Sequence, residues 1–333
     1  MVEFERENIL VAGGAGFIGS HLGEALLAKH NVIAVDSFVS GLEHNVEFLL
    51  QHPNFEFIKA DLAEKMDLAS LPELEKFHLR GQGIQQIYNC ACPSSVIHYD
   101  TVPIETIKAN SIVVINLLEM AVLYKARLVH CSSACVYGSS QNKKELLKES
   151  DLGIVDQLGP RSAYNEGKRF AESLIINYRD YKKVPASAAR IFNTYGPRMA
   201  HLQGRMIPQF IRAALDNKDV VVYGDEETTI SNCYVDDMVD GLVRLLNHQE
   251  DRVINLGNPM ADKAVEVANL VIKLTNSNSR VTFAPRPPYV TLEGTPDITE
   301  AKNMIDWFPL VSLEDGLKKT ITDIMEAKNL RKN

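Results

Sequence analysis

The stretch Asn8-Ile-Leu-Val-Ala-Gly-Gly-Ala-Gly-Phe-Ile-Gly19 is a short apolar β-type run that leads into a glycine-rich turn. Its glycines fit Gly-x-Gly-x-x-Gly, and the amphipathic residues that follow predict a helix to about Lys29. Such glycines allow a tight turn, close approach to a pyrophosphate and close helix–strand packing. A phosphate then lies at the helix N-terminus, where unpaired N–H groups favour an anion. The stretch therefore predicts a dinucleotide site formed by Gly13, Gly16, Phe17, Ile18 and Gly19.

An acidic residue closes the next predicted strand, Val32-Ile-Ala-Val-Asp36. It follows the glycine turn by about 20 residues, as the ribose-binding acid does in dinucleotide sites. A carboxylate there accepts hydrogen bonds from both ribose hydroxyls and repels a 2′-phosphate. The sequence therefore predicts NAD rather than NADP. Asp61 and Leu62 follow the third predicted strand, where a contact to the adenine would lie.

Strands and helices alternate through the first part of the chain. Further strands are predicted over residues 55–58, 86–90, 127–131 and 187–191, with a helical insert over about 65–85 and one long helix over 103–124. This alternation predicts an α/β fold with a Rossmann doubly wound parallel sheet. It weakens near residue 190. We therefore expect an NAD-binding domain over residues 1–190 and a smaller C-terminal α/β substrate domain over 191–333, with a chain that crosses back at a soft boundary.

The segment Ser162-Ala-Tyr-Asn-Glu-Gly-Lys168 contains a tyrosine and a lysine four residues apart. On a helix these two side chains share one face. A neighbouring ammonium favours phenolate over phenol, so we expect Lys168 to lower the pKa of Tyr164. The pair predicts a base that takes a hydroxyl proton while hydride leaves the same carbon. The same spacing also occurs by chance on solvated helices, so the pattern depends on the glycine turn and the acid that precede it.

Composition limits the classes of protein that fit. The 333 residues carry a net charge of -8 with 45% hydrophobic and 23% charged residues, which argues against a nucleic-acid or anionic-membrane surface. We identify no run apolar enough to span a bilayer and no signal-peptide layout. Five cysteines without zinc-type spacing fit reduced thiols, and Cys90, Cys92 and Cys131 are interpreted as packing. We expect a cytoplasmic protein with no bound metal.

Several segments together resemble the extended short-chain dehydrogenase/reductases that modify nucleotide sugars. The segments are residues 132–138 (Ser-Ser-Ala-Cys-Val-Tyr-Gly), 158–172, 189–199, 255–259 and 296–298. The resemblance covers almost the whole chain and looks closest to UDP-glucuronate decarboxylases. It implies a tightly held NAD that oxidises the C4 hydroxyl of the sugar to a 4-keto intermediate. It also implies a homodimer packed through the helices at 104–124 and 164–181.

The resemblance carries roles to individual positions of this chain. Tyr164 matches the base, Lys168 its partner and ribose ligand, and Ser133 the hydroxyl that polarises the C4 oxygen. Ala91 and Asn110 match further NAD contacts. The implied contacts to the nucleotide sugar, expected to be UDP-linked, are Ser94, Asn193, Arg198, Arg205 and Tyr223.

Three positions depart from the decarboxylase pattern. Cys135 replaces an acid, Ile230 replaces an arginine that meets the substrate, and Glu293–Thr295 replaces an arginine ahead of Pro-Asp-Ile, for which Arg286 is a candidate substitute. A buried substrate carboxylate without a cation would cost several kcal/mol, and dehydration needs an acid–base group. Epimerisation at C4 needs neither, because the 4-keto sugar only has to turn over and accept hydride on its other face.

Cys135 has two interpretations. The segment around it also resembles GDP-mannose 3,5-epimerase, in which a cysteine at this place exchanges protons beside the 4-ketone, and a thiol with a lowered pKa can do so. It can equally be a small buried apolar side chain. The sequence thus predicts an NAD-dependent nucleotide-sugar epimerase. The alternatives are an altered UDP-glucuronate decarboxylase, then a 4,6-dehydratase, and a catalytically silent NAD-binding homologue.

Overall fold

The computed structural model describes residues 5–139, 146–287 and 294–330, so Glu293 lies outside it. Within these ranges the helices are α1 (Phe17–Leu27), α2 (Leu79–Gln82), α3 (His98–Thr101), α4 (Pro103–Ala109), α5 (Ile112–Tyr124), α6 (Ser162–Lys182), α7 (Met206–Leu215), α8 (Val235–Asn247), α9 (Ala264–Leu274), α10 (Thr299–Ile305) and α11 (Leu313–Leu330). The strands are β1 (Asn8–Ala12), β2 (Asn31–Asp36), β3 (Phe55–Lys59), β4 (Gln86–Asn89), β5 (Arg127–Ser133), β6 (Leu146–Leu147), β7 (Ala186–Ile191), β8 (Thr194–Tyr195), β9 (Val220–Tyr223), β10 (Thr229–Ser231), β11 (Cys233–Tyr234), β12 (Val253–Leu256), β13 (Ala261–Lys263), β14 (Val281–Ala284) and β15 (Thr295–Pro296).

Seven parallel strands form the central sheet in the order β12-β7-β5-β4-β1-β2-β3. Alternate residues of β1 enter different cores: Ile9 and Val11 pack with α1 and α8, whereas Leu10 and Ala12 pack with α5 and α6. A parallel sheet covered on both faces requires such continuous apolar strands. The predicted Rossmann sheet is confirmed, and its carboxyl ends form one edge at which ligands can bind.

The C-terminal part adds small sheets beside that edge. β9 pairs with β14, and β10 pairs with β13. β12 returns to the central sheet and pairs with β7, in register from Val253 and Ala188. The chain therefore crosses between the two parts, while the boundary near residue 190 stays a prediction.

Two predicted helices differ from the structure. The insert over 65–85 consists of short 3₁₀ turns and the single turn α2, because Pro72 begins one turn and His78 adopts the left-handed conformation (φ 52°). The long helix over 103–124 breaks at Ser111, whose φ and ψ are -127° and -80°.

The expectation that no segment could span a bilayer is wrong on length and composition alone. Among the described residues, Pro103–Tyr124 is a 22-residue helical stretch that is long and apolar enough. Core helices of soluble proteins pass the same test, and 44% of the tested window is buried here. The finding is therefore weak evidence for a membrane segment.

Candidate active site

The glycine turn is packed so tightly that side chains are excluded from it. Gly13 has a φ of 77°, and a Cβ there would lie 2.7 Å from the Ala91 nitrogen. A Cβ on Gly19 would lie 2.1 Å from the Gly13 oxygen. Gly16 begins α1 with no side-chain cap and no acidic residue in the first turn. The turn therefore presents open helix N–H groups, which fits a bound pyrophosphate.

Asp36 is fixed beside this turn at the end of β2. Its Oδ2 accepts a hydrogen bond from the Ala15 nitrogen at 3.0 Å, and its Oδ1 accepts one from the Phe38 nitrogen at 2.8 Å. Burial raises the pKa of Asp36, and these backbone hydrogen bonds act against the rise. The carboxylate retains further lone pairs that can accept from ribose hydroxyls. The geometry therefore fits the adenosine side of NAD.

A cavity of about 330 Å³ runs from the glycine turn along the carboxyl ends of the strands. It brings together most of the residues that the sequence predicted. Its lining includes Gly13, Gly16, Phe17, Ile18, Gly19, Asp36, Asp61, Leu62, Ala91, Ser94, Ser133, Tyr164, Lys168, Asn193, Arg198 and Arg205. We call this cavity the cofactor cleft.

A second cavity of about 150 Å³ adjoins the cofactor cleft. Tyr223 and Arg286 line it, and Arg286 donates a hydrogen bond to the Thr228 hydroxyl at 3.0 Å. Asn193 and Arg205 line both cavities, so the two are neighbours. We call this cavity the second pocket.

Tyr164 lies in the first turn of α6 and is 6% exposed. Lys168 reaches past it, with Nζ 5.9 Å from the centre of the tyrosine ring and 2.7 Å from the Cys131 oxygen, to which it donates. Burial raises the pKa of Tyr164 well above its ordinary value, the neighbouring Cys135 raises it further, and a hydrogen bond with Ser133 lowers it. The lowering of the Tyr164 pKa that we expect from Lys168 stays a prediction. Positive charge entering the cleft would favour the phenolate.

A buried polar network holds the strand end that carries Ser133. Ser132 donates to Glu172 at 2.6 Å, and Glu172 pairs with Arg190 at 2.8 Å. Arg190 donates to the Tyr137 hydroxyl at 2.9 Å, and that hydroxyl donates to Asn255 at 2.6 Å. The network connects four of the segments that carry the family resemblance, which the sequence alone did not reveal.

Two of the predicted site residues lie outside the linings of both cavities. Asn110 is fully buried, donates to the Thr106 oxygen and the Cys92 sulfur, and has no hydrogen-bond partner for its Oδ1 among the described residues. Cys135 is 3% exposed and packs with Tyr164 and Phe192 in a small apolar cluster. The assigned roles of both residues stay predictions.

Arg198 faces the cofactor side. Its guanidinium contacts Glu24 at 2.6 Å and His21 Nδ1 at 2.7 Å, and it lies 5.1 Å from the centre of the Phe48 ring. It lines the cofactor cleft and is not among the described residues of the second pocket. The structure thus separates Arg198 from Tyr223, with which the resemblance grouped it, whereas Arg205 lines both cavities.

Arg161 is the site residue that sequence reasoning missed. It is 8% exposed, its guanidinium carbon lies 4.9 Å from the centre of the Tyr99 ring, and it lines both cavities. The Tyr99 ring lies 5.5 Å from the Tyr164 ring, so the cation is one ring away from the predicted base. Its place three residues before Tyr164 at the start of the same helix was the available signal.

The parallel sheet, the glycine turn and the tyrosine–lysine pair define a short-chain dehydrogenase/reductase. The model of the NAD dependent epimerase/dehydratase family matches residues 9–257. The chain belongs to that family and is therefore an NAD-dependent enzyme of the nucleotide-sugar epimerase, dehydratase and decarboxylase group.

The names of similar proteins give two activities, decarboxylation and 4-epimerisation. UDP-glucuronic acid decarboxylase 1 of Xenopus tropicalis is 39% identical over 96% of this chain and 72% of its own. UDP-glucuronic acid decarboxylase 5 of Arabidopsis thaliana is 38% identical over 98% of this chain and 91% of its own. The structure of UDP-glucuronic acid 4-epimerase from Bacillus cereus, in complex with UDP-glucuronic acid and NAD, has a TM-score of 0.83 and 26% identity, and the match covers 96% of this chain and 99% of that chain.

Proposed function

We propose that this enzyme interconverts the C4 epimers of a UDP-linked hexuronic acid through a transient 4-keto sugar. The observation that carries the proposal is the grouping of Tyr164 and Ser133 in the cofactor cleft with a buried arginine, Arg161, one ring away. NAD supplies the hydride acceptor and, in the return step, the hydride donor. Tyr164 takes the C4 hydroxyl proton and later returns it, while the Ser133 hydroxyl holds the C4 oxygen.

Arg161 supports an acidic sugar as the substrate. A substrate carboxylate in the cleft would be buried, and burying it without a cation would cost several kcal/mol. Ile230, which lines the second pocket, cannot supply that cation. Arg161 is 8% exposed and lines both cavities, and a guanidinium has the geometry to bind a carboxylate in a bidentate manner. The decarboxylases and the 4-epimerase similar to this chain all have UDP-glucuronic acid in their names.

The shortage of carboxylates near Tyr164 favours epimerisation. Loss of carbon dioxide from a 4-keto hexuronic acid leaves an enolate at C5, which must receive a proton. Among the described residues, the carboxylates that line the two cavities are Asp36, Asp61 and Glu105. The first two lie at the ends of β2 and β3, and Glu105 is exposed on α4. Carbon dioxide leaves as a neutral molecule, so the negative charge of the carboxylate must pass to the enolate. An arginine paired with the substrate carboxylate stabilises the charge before this step and therefore opposes decarboxylation.

Decarboxylation of UDP-glucuronic acid is the second candidate. The observation in its favour is the 38–39% identity to decarboxylases over nearly the whole chain. Against it, this chain has Cys135 and Ile230 where the decarboxylase pattern has an acid and an arginine.

The product formed from UDP-glucuronic acid and NAD in deuterated water separates the candidates. We expect a product of unchanged carbon count, with inverted configuration at C4 by NMR and no deuterium at C5. Loss of carbon dioxide would contradict the proposal and establish the decarboxylase. Absence of any reaction with UDP-glucuronic acid, together with turnover of a neutral UDP-hexose, would contradict the acidic substrate.

We also propose a cytoplasmic homodimer. Exposed apolar side chains on α4 and α5, including Ile104, Ile107 and Leu123, together with Phe170 on α6, support a contact between copies through these helices. Sedimentation velocity on the wild type and on Leu123→Glu would test it. We expect a dimer that the charge weakens, and a monomeric wild type would contradict the proposal.

A further inference from the structure

Two cysteines face each other across neighbouring strands at the cofactor site. The Cys90 and Cys131 sulfurs are 3.4 Å apart, and both thiols are free. Asn89 pairs with His130 in the parallel register of β4 and β5, so Cys90 and Cys131 are the next pair along. Neighbouring strands lie about 4.8 Å apart, and disulfides bridge Cα separations of about 4.4–6.8 Å. A bond between these sulfurs therefore needs only a small approach.

Both cysteines lie where the chain supports the cofactor. They line the cofactor cleft. A Cβ on Gly13 would lie 2.7 Å from the Cys90 carbonyl carbon, so the glycine turn rests directly on Cys90. Lys168 donates its hydrogen bond to the Cys131 oxygen at 2.7 Å. A disulfide between the two sulfurs would therefore shift the backbone of Cys90, against which the glycine turn packs. It would also shift the Cys131 oxygen, which accepts the Lys168 hydrogen bond.

We propose that Cys90 and Cys131 form a disulfide on exposure to a peroxide, and that this reversible modification weakens NAD binding. Two S–H bonds break and one S–S bond forms. The two electrons and two protons pass to the peroxide, whose O–O bond breaks; hydrogen peroxide gives two waters. A dithiol reductant reverses the step by thiol–disulfide exchange.

The surroundings of the pair set the conditions for this reaction. The hydrogen bond with Cys131 and burial raise the pKa of Cys90, while the Lys168 charge lowers it. Because the thiolate is the reactive form, we expect oxidation to be slow near neutral pH and faster as the pH rises. Both cysteines are among the residues that line the cofactor cleft, so we expect bound NAD to slow the reaction further. The inference depends on the NAD site, which the family match establishes, and not on the identity of the sugar.

Hydrogen peroxide treatment of the full chain, with and without NAD, tests the proposal. In the NAD-free protein we expect the intact mass to fall by two hydrogens, and peptide mapping to join the Cys90 and Cys131 peptides. Isothermal titration should then show NAD binding weakened by about tenfold or more, within the usual range for coupled sites, and dithiothreitol should restore it. Protein preloaded with NAD should keep its thiols for longer.

Matched variants separate this pair from the other thiols. Cys90→Ala should prevent the mass change, whereas Cys92→Ala and Cys233→Ala should still form the link. Cys92 is the nearest competitor in the same cleft, and Cys233 lies on β11. Peptide mapping of the wild-type protein tests the link even where a variant fails to fold. Four results would overturn the proposal: no loss of hydrogens, a link that uses Cys92, a link between chains, or a correct link that leaves NAD binding unchanged.

Discussion

The two halves of the active site are built in different ways. The cofactor half consists of the ends of adjacent strands β1 to β5 and the first turns of α1 and α6, all attached to one sheet. The second pocket is assembled from separate segments of the chain, with Arg205 before α7, Tyr223 at the end of β9 and Arg286 after β14. We therefore expect hydride transfer to depend on the cofactor half, and the choice among sugars to depend on the segments around it.

Arg161 stands between the two halves. It begins the helix that carries Tyr164 and Lys168, yet it lines both cavities. If this division of the active site is correct, substitutions in the cofactor half should stop hydride transfer for every substrate. Substitutions at the junction should instead change the choice among substrates.

Tyr164→Phe should have the largest effect. The phenyl ring keeps the packing but cannot accept the C4 proton, so we expect turnover to fall by about a thousandfold, within the range for removal of a general base. NAD binding should change little. Appearance of bound NADH at its absorbance band after mixing with substrate measures the lost step directly.

The matched control is Tyr178→Phe on the same helix. Its hydroxyl donates to Glu119 at 2.6 Å, away from both cavities. We expect full turnover in this variant. A Tyr164→Phe enzyme with near-normal turnover would show that another group removes the proton.

Arg161→Met should separate acidic from neutral substrates. It keeps an apolar stem against Tyr99 but removes the cation, and a lost buried charge pair costs about 2–5 kcal/mol. We expect KM for UDP-glucuronic acid to rise by about a hundredfold, with the residual activity toward neutral UDP-hexoses unchanged or increased. Steady-state kinetics on both classes of substrate measure the shift.

Arg161→Lys retains the charge and should recover part of the loss. Lys182→Met, in the exposed last turn of α6, removes a cation from the same helix without touching either cavity and should leave both KM values unchanged. An equal loss for acidic and neutral sugars in Arg161→Met would mean that Arg161 supports the fold of the site rather than recognising a carboxylate.

A pH experiment can test the assignment of Arg198 to the cofactor half. His21 Nε2 donates to the Pro197 oxygen at 3.1 Å, so its Nδ1 is the acceptor for Arg198. Burial and the Arg198 charge lower the pKa of His21 from 6.5 to about 4. Between pH 6.5 and about 4, the unfolded chain therefore binds more protons at His21 than the folded chain does. The stability that neutral His21 contributes is complete above pH 6.5 and is lost as the pH falls toward 4.

His21→Gln should remove the pH-dependent part of the stability that His21 contributes, which amounts to about 2–3 kcal/mol between pH 6.5 and about 4. Urea unfolding of wild type and His21→Gln at neutral pH and near pH 4 measures this loss of stability. The other titrating groups, including Asp236 at 3.9 Å from His21, are common to both proteins. Parallel pH profiles for the two proteins would mean that His21 does not hold Arg198 in the way the structure indicates.

The same division explains what the sequence could predict. The glycine turn and Asp36 lie at the carboxyl ends of the parallel strands β1 and β2, and Tyr164 lies in the first turn of the helix that leads to β7. Their convergence at one edge of the sheet therefore follows from topology. Arg286 meets the second pocket only through the packing of loops, which no local pattern encodes. The position of Arg161 at the start of α6 places it near Tyr164, but its burial between the two cavities depends on tertiary packing. The break at Ser111 and the burial of Tyr164 depend on tertiary contacts. These contacts interrupt the continuous helix predicted over 103–124, and they raise the pKa of Tyr164 above its ordinary value.

Cys135→Ala should have the smallest effect. The thiol is buried against Tyr164 and outside the described linings of both cavities, so its loss removes packing and leaves the path of the sugar unchanged. We expect turnover within about threefold of wild type and a stability loss near 1 kcal/mol, as for a small core truncation. Neither protein should place solvent deuterium at C3 or C5 of the product. If the wild type incorporates deuterium beside the ketone and Cys135→Ala does not, the thiol is a proton exchanger. The chemistry that distinguishes this enzyme would then lie in the cofactor half, against the division between a shared sheet and a variable periphery.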